Sequence, residues 1–151
     1  MLFLLFQLGP DRFALDAAGI VEILPLVTMT PVPLAPPGVA GLFDYRGAAV
    51  PAIDLSALTL GRPAQRLLST RIVLVRYPGA DGHLLGLVAE RATATLRADP
   101  ADFTASGIGN PATPYLGPVL ADANGLVQRV DAAALLTPAL REMLFSPAAA
   151  P

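Results

Sequence analysis

Gly41-Leu-Phe-Asp-Tyr-Arg-Gly47, followed closely by Val50-Pro-Ala-Ile-Asp-Leu55, is the stretch that decides the fold. An apolar run stops at the polar corner Asp44-Tyr45-Arg46-Gly47, and a second apolar run follows and ends at Asp54. Two short β-prone runs around a Gly-containing corner predict a hairpin with Arg46 presented on its turn. A permanently charged, planar guanidinium on a rigid corner suits protein recognition. The same spacing also fits an exposed arginine that only keeps the hairpin soluble.

Outward from this hairpin, strand signals recur roughly every ten residues, separated by Pro and Gly. The expected strands are Leu2–Leu8, Arg12–Leu15, Val21–Leu24, Val39–Tyr45, Ala48–Ile53, Arg71–Tyr77, His83–Ala89, Ala92–Leu96, Leu116–Leu120 and Gly125–Val130. Many short strands with little helix predict an all-β fold of barrels or a sandwich. Pro10-Asp11 and Ala80-Asp-Gly82 read as hairpin turns. Asp16, Asp54 and Asp131 each stand where an N-cap would open a short helix. Thr137-Pro138 reads as an N-cap with proline at N1 of a last helix through Phe145, and Ser146 to Pro151 as a frayed tail.

Two apolar segments invite a membrane reading and fail it. Met1-Leu-Phe-Leu-Leu-Phe6 has no basic n-region and runs straight into Gly9-Pro-Asp-Arg12, so it reads as a first strand rather than a signal peptide. Ile23 to Phe43 carries no charge, but Pro25, Pro31, Pro33, Pro36, Pro37, Gly38 and Gly41 would leave backbone groups unpaired in lipid. It reads as strand, extended loop, strand.

A faint repeat relates the two halves. Phe13 to Ile23 has a looser counterpart in Leu84 to Arg91, and Ala49 to Leu55 is echoed by Leu126 to Ala132. Glu22 and Glu90 fall at corresponding places, which favours a structural or binding role over an acid/base pair.

The chain has no cysteine and one histidine, so a disulfide framework, a thiol nucleophile and a His-rich metal site are all excluded. His83 reads as a solvated turn residue. Gly107-Ile-Gly109 lacks the lysine and spacing of a phosphate loop. A net charge of −2 with scattered arginines gives no field for DNA or an anionic membrane.

Several pieces occur in a telling order: Phe6-Gln-Leu-Gly9, Ala14-Leu-Asp16, Val21-Glu-Ile23, the Gly41 to Leu55 stretch, Thr70-Arg-Ile-Val73, Gly86-Leu-Val88, Tyr115-Leu-Gly117 and Val130 to Leu136. From Leu2 to about Leu136 the chain resembles the CheW family, the adaptors of bacterial chemotaxis-type signalling. The family pattern is Gly, two apolar residues, Asn, apolar, Arg, Gly, then Pro and Asp-Leu. Here Asp44 holds the Asn place, while Arg46, Gly47, Pro51 and Asp54-Leu55 fill theirs. The short, Leu-rich start resembles that of adaptors in surface-sensing (Wsp-type) or twitching pathways.

The resemblance implies two five-stranded SH3-like barrels on a shared core, with strands exchanged across the sequence midpoint. Residues 1–145 would be a single domain of two intertwined lobes and 146–151 a flexible tail. It further implies a cytoplasmic, non-catalytic adaptor at receptor arrays, coupling a methyl-accepting chemotaxis-type receptor to a CheA-type histidine kinase. No cofactor, metal, nucleic acid or membrane insertion is expected. Carried onto this sequence, the receptor-binding candidates are Ile20, Glu22, Ile23, Gly41 and Arg46, with Leu87 and Val88 from the matching strand of the other half. Ile20 and Ile23 read equally well as core. Leu58, Arg62, Thr70 and Arg71 are the kinase-binding candidates, beside loops and away from Arg46 in sequence. An enzyme would be marked instead by a buried cleft with two perturbed titratable groups. A stand-alone SH3-like module for peptides or nucleic acid would be marked by an exposed, aromatic-lined groove.

Overall fold

The computed structural model describes residues 1–79 and 82–145. Along these the strands are β1 (Leu2–Leu8), β2 (Asp11–Asp16), β3 (Ile20–Pro25), β4 (Val39–Tyr45), β5 (Ala48–Asp54), β6 (Arg71–Arg76), β7 (Leu84–Arg97), β8 (Leu116–Asp122) and β9 (Gly125–Val130). Two short helices, α1 (Leu55–Leu60) and α2 (Pro138–Leu144), complete the set with 3-10 turns at Ala17–Gly19, Pro100–Asp102 and Ala132–Ala134. The aspartates foreseen as caps act as caps. Asp16, Asp54 and Asp131 accept from the backbone N–H groups of Ala18, Ala57 and Ala133, and Thr137 accepts from Leu140. Each satisfies a donor that the first helical turn leaves without a partner.

The strands form two five-stranded, SH3-like barrels. One runs β7–β1–β2–β9–β8 and the other β3–β6–β7–β5–β4. β7 belongs to both: residues 84–89 pair with β6, and residues 90–97 pair with β1. The barrels repeat each other's plan. Each contains one parallel pair, β2 with β9 and β7 with β5. Each is closed by a short bridge from the segment after its edge strand, Thr30 to Leu42 in one and Thr104 to Val119 in the other. The halves of the sequence repeat fall on these parallel pairs, which is why they share an apolar pattern.

Alternation along the strands sorts the side chains into three cores. Phe3, Ala14, Phe103 and Val127 fill one barrel, and Phe43, Val50, Ala52, Ile72, Leu74 and Val88 fill the other. Leu4, Phe6, Leu8, Val73, Val75, Leu85 and Leu87 point the opposite way into a larger core, completed by Leu135, Leu136 and Leu140 from the C-terminal segment. β6 shows the division clearly: Ile72 and Leu74 enter the barrel, while Val73 and Val75 enter the shared core.

Two expectations need correction. His83–Ala89 and Ala92–Leu96 are not separate strands but one 14-residue strand. The polar pair Glu90-Arg91 looks like a break, yet Arg91 adopts a left-handed φ of 49° and the β1–β7 register shifts beside it, so the chain bends without ending. The first hairpin turns at Gly9-Pro10 rather than Pro10-Asp11, because Asp11 already pairs with Leu8 and Gly9 supplies the positive φ. Ala80 and Asp81 of the expected second turn, and the expected tail Ser146 to Pro151, lie outside the described residues. No helix among the described residues is long and apolar enough to cross a membrane.

Candidate partner-binding site

The β4–β5 hairpin has a two-residue loop, Arg46-Gly47, with Tyr45 opposite Ala48. Both loop residues have positive φ, 51° and 86°, the geometry that best follows the twist of paired strands. Asp44 Oδ1 accepts from the Gly47 N–H at 2.7 Å. The turn therefore needs a short side chain with an oxygen acceptor, and aspartate meets that need as asparagine would.

The turn sets Arg46 beside β3. Glu22 Oε1 accepts from the Tyr45 hydroxyl at 2.8 Å and from Arg46 Nη2 at 3.4 Å, and the guanidinium lies 5.2 Å from the Tyr45 ring centroid. The hydrogen bond to Glu22 raises the Tyr45 pKa, because losing the phenol proton beside a carboxylate is disfavoured. The Arg46 side chain is 76% exposed and that of Glu22 38%. At such exposure an ion pair adds at most about 1 kcal/mol to stability. What it does is orient the guanidinium along the edge of the barrel.

β3 continues the surface. Val21 and Ile23 are 40% and 38% exposed, while Ile20 packs on the shared core. Ile20 and Ile23 pair with Val75 and Val73 of β6, whose side chains enter that core. The Ile20–Ile23 face thus runs along the rim between the barrels. Beyond its start, at Gly19, lies a hollow of about 420 Å³ floored by Leu15, Val75 and Val130. A second, of about 530 Å³, lies beside Ile20 and Val21. Gly19, Arg76 and Pro78 line both, so the two hollows adjoin at these residues.

Of the receptor candidates, Ile20, Glu22 and Ile23 lie along β3 and Arg46 joins that strand through Glu22, whose side chain takes the face opposite Ile23. The other three are interior. Leu87 is fully buried in the shared core, Val88 fills one barrel, and Gly41 is buried where β4 passes Thr30. None of these three offers surface to a partner. Among the kinase candidates, Arg62 is exposed with its guanidinium near Gly9, and Leu58 packs against Gly38 and the shared core. Thr70 is buried with its hydroxyl on the Gln65 carbonyl, and Arg71 is half-buried between Pro25 and Ala89. Leu58 lies in α1 and Arg71 in β6, with Arg62 and Thr70 in the segment between them, and no hydrogen bond or ion pair joins the four among the described residues.

The sequence reading passed over Val21, Tyr45 and Arg76. The alternation of β3 could have marked Val21, which falls in the exposed set with Ile23 while Glu22 and Leu24 are half-buried. His83 is exposed, as expected, but its ring also stacks on Phe145 with centroids 4.8 Å apart. Glu90 Oε1 accepts from the Gln65 N–H at 2.8 Å and from Ser56 Oγ at 3.5 Å, tying β7 to the segment around α1. Among the described residues no three His, Asp or Glu side chains gather as a metal cluster.

The model of the CheW-like domain matches residues 2–139. The chain belongs to the CheW family. Within the family, it is 38% identical over 50 residues to a chemotaxis protein CheW of Treponema pallidum, covering 33% of this chain and 29% of the relative. With a CheW of Helicobacter pylori it is 31% identical over 102 residues, covering 67% of this chain and 59% of the relative. With the protein FrzA of Myxococcus xanthus it is 27% identical over 125 residues, covering 81% and 76%. The matches to the two CheW proteins therefore span less than two thirds of those relatives' own length. The crystal structure of the scaffolding protein TtCheW from Thermoanaerobacter tengcongensis superposes with a TM-score of 0.82 at 19% identity, over 96% of this chain and 93% of that one. That likeness extends the CheW fold to nearly the whole of this CheW-like chain.

Proposed function

We propose that this chain is a non-catalytic adaptor that couples a chemoreceptor to a CheA-type histidine kinase at cytoplasmic receptor arrays. The observation that carries the reading is β3 itself, which exposes Val21 and Ile23 and through Glu22 holds the exposed Arg46. A receptor tip is an antiparallel helical hairpin whose exposed face carries apolar side chains at helical spacing. Ile20, Val21 and Ile23 supply apolar contact for such a face, and Arg46 supplies a charged partner for a carboxylate or a helix C-terminus. Leu87, Val88 and Gly41 hold the walls behind that surface. The kinase would take a different face, for which Arg62 and the half-buried Leu58 and Arg71 are the accessible candidates. A bridging protein needs two surfaces that can be occupied together.

A stand-alone peptide-binding module is less favoured, since it needs an exposed aromatic groove. Tyr77 and Tyr115 are buried, with hydroxyls bonded to the Ala133 carbonyl and to Thr59.

The test is co-sedimentation of adaptor, kinase and receptor fragment with Arg46→Glu. Receptor binding is expected to fall and kinase binding to persist. Displacement of kinase by receptor fragment would refute the bridging role.

A further inference from the structure

The cleft between the barrels contains a charge that the rim does not use. Arg76 ends β6 and stands where the two hollows meet. In the hollow beside Ile20 and Val21 it is the one charged side chain of the described lining. The neighbouring hollow holds three other charged groups, and each is already engaged. Asp16 caps the Ala17–Gly19 turn and lies 3.9 Å from Arg129. Asp131 caps the Ala132–Ala134 turn. Arg129 also lies over the Phe3 ring, 5.2 Å from its centroid. Arg76 is exposed, and no hydrogen bond or ion pair to it is found among the described residues. Gly19, which lines both hollows with Arg76, leaves open space: a Cβ built there meets nothing within 4 Å.

We propose that Arg76 reads a carboxylate on the receptor tip, so that the cleft selects an amphipathic helix with an acidic side chain beside its apolar anchors. This rests on the groove reading above and adds a second charged contact to Arg46. The apolar floor takes the helix face, and the guanidinium takes one carboxylate in its planar fork. Asp16 and Asp131 line only the neighbouring hollow, so the single free charge of Arg76 is matched by one carboxylate rather than by a multiply charged phosphate. The pairing would act mainly on which receptor is chosen and how fast it docks, because a tip without the acid leaves Arg76 desolvated and unpaired.

The experiment measures binding of a chemoreceptor tip hairpin to the full-length protein and to Arg76→Glu, Ile23→Asp and Gly19→Phe. The tip is scanned with single Glu→Gln and Asp→Asn changes, and each protein variant is checked by thermal melting. Arg76→Glu is expected to weaken binding about tenfold or more, with one tip carboxylate accounting for the loss. Changing that tip residue to lysine should recover affinity for Arg76→Glu alone. Gly19→Phe should block the cleft without backbone strain, since Gly19 does not need a left-handed φ. If Ile23→Asp abolishes binding while Arg76→Glu leaves it unchanged, the Arg76 assignment is wrong and the groove reading stands. Loss with Arg76→Glu but with no tip carboxylate responsible overturns carboxylate recognition. If neither variant nor the block at Gly19 alters binding, the groove reading itself fails.

Discussion

Replacing Gly41 by alanine should be among the costliest small changes in this protein. Gly41 has φ near 135°, a region that side chains rarely adopt. A Cβ there would lie well inside contact distance of the Thr30 carbonyl oxygen, which is backbone and cannot swing aside. That carbonyl accepts from the Leu42 N–H at 2.8 Å, and the Thr30 N–H donates to Leu42 O at 2.8 Å; the two bonds close the barrel. Backbone strain of this kind costs on the order of 1–3 kcal/mol. Losing both hydrogen bonds adds about 1 kcal/mol each. Gly41→Ala should therefore lose roughly 3–5 kcal/mol, a large share of the ~5–15 kcal/mol typical of a domain. Urea titration measures it as a lower midpoint at unchanged slope. Gly61→Ala is the control, because Gly61 also has a left-handed φ, 76°, but open space around its Cβ position. It should lose only about 1 kcal/mol. If the two substitutions cost the same, the close approach to Thr30 is not what requires glycine at 41. Receptor binding measured on the folded fraction of Gly41→Ala should be unchanged; a loss there would restore Gly41 as a contact residue.

The capping aspartates should differ from each other. Asp54 accepts from both Ala57 and Ala64, so Asp54→Ala should lose about 1–2 kcal/mol, and Asp131→Ala, with one cap bond, about 1 kcal/mol or less by denaturant titration. Equal losses would deny the Ala64 bond a role. Acid should act through Asp122, whose carboxyl is held at about 2 by its hydrogen bonds from Arg12 and the Asn124 N–H. A depressed folded-state pKa gives stability that is present above the ordinary value of 3.8 and lost as pH falls through about 2. The melting-temperature gap between wild type and Asp122→Asn should thus close over that window. A gap that stays constant would remove this pair from the acid response.

The features legible in the sequence are those fixed locally. The corner at Arg46-Gly47 is announced by Gly47, which accepts a positive φ freely, and by Asp44, which accepts from its N–H, and an aspartate before small residues announces a cap. The parallel pairs gave no such sign. Arg12 meets Val127 from the far end of the chain, and nothing local to either residue encodes it. The burial of Leu87 and Val88 is legible in the run around them. Leu84 to Ala89 is an unbroken apolar run, which marks a strand buried on both faces rather than one that lines a groove. Glu90-Arg91 misled for the converse reason: two charged residues interrupt the pattern of a strand whose backbone simply bends there. The Arg76 site was hidden because an arginine ending a strand is common, and only the juxtaposition of β3, β6 and β9 turns it into the wall of a cleft.

The two-barrel strand also limits how this molecule can fail. A slip of β7 by one residue would send Leu87 into the barrel and Val88 into the shared core. The same slip would carry residues 90–97 out of step with β1 at the other end. Neither lobe can therefore re-register by itself, and neither offers a complete set of walls if the chain is cut between them. Amide protons along both ends of β7 should exchange through one common opening rather than two. The halves echo each other in sequence, yet the single length of backbone they share should make them melt together.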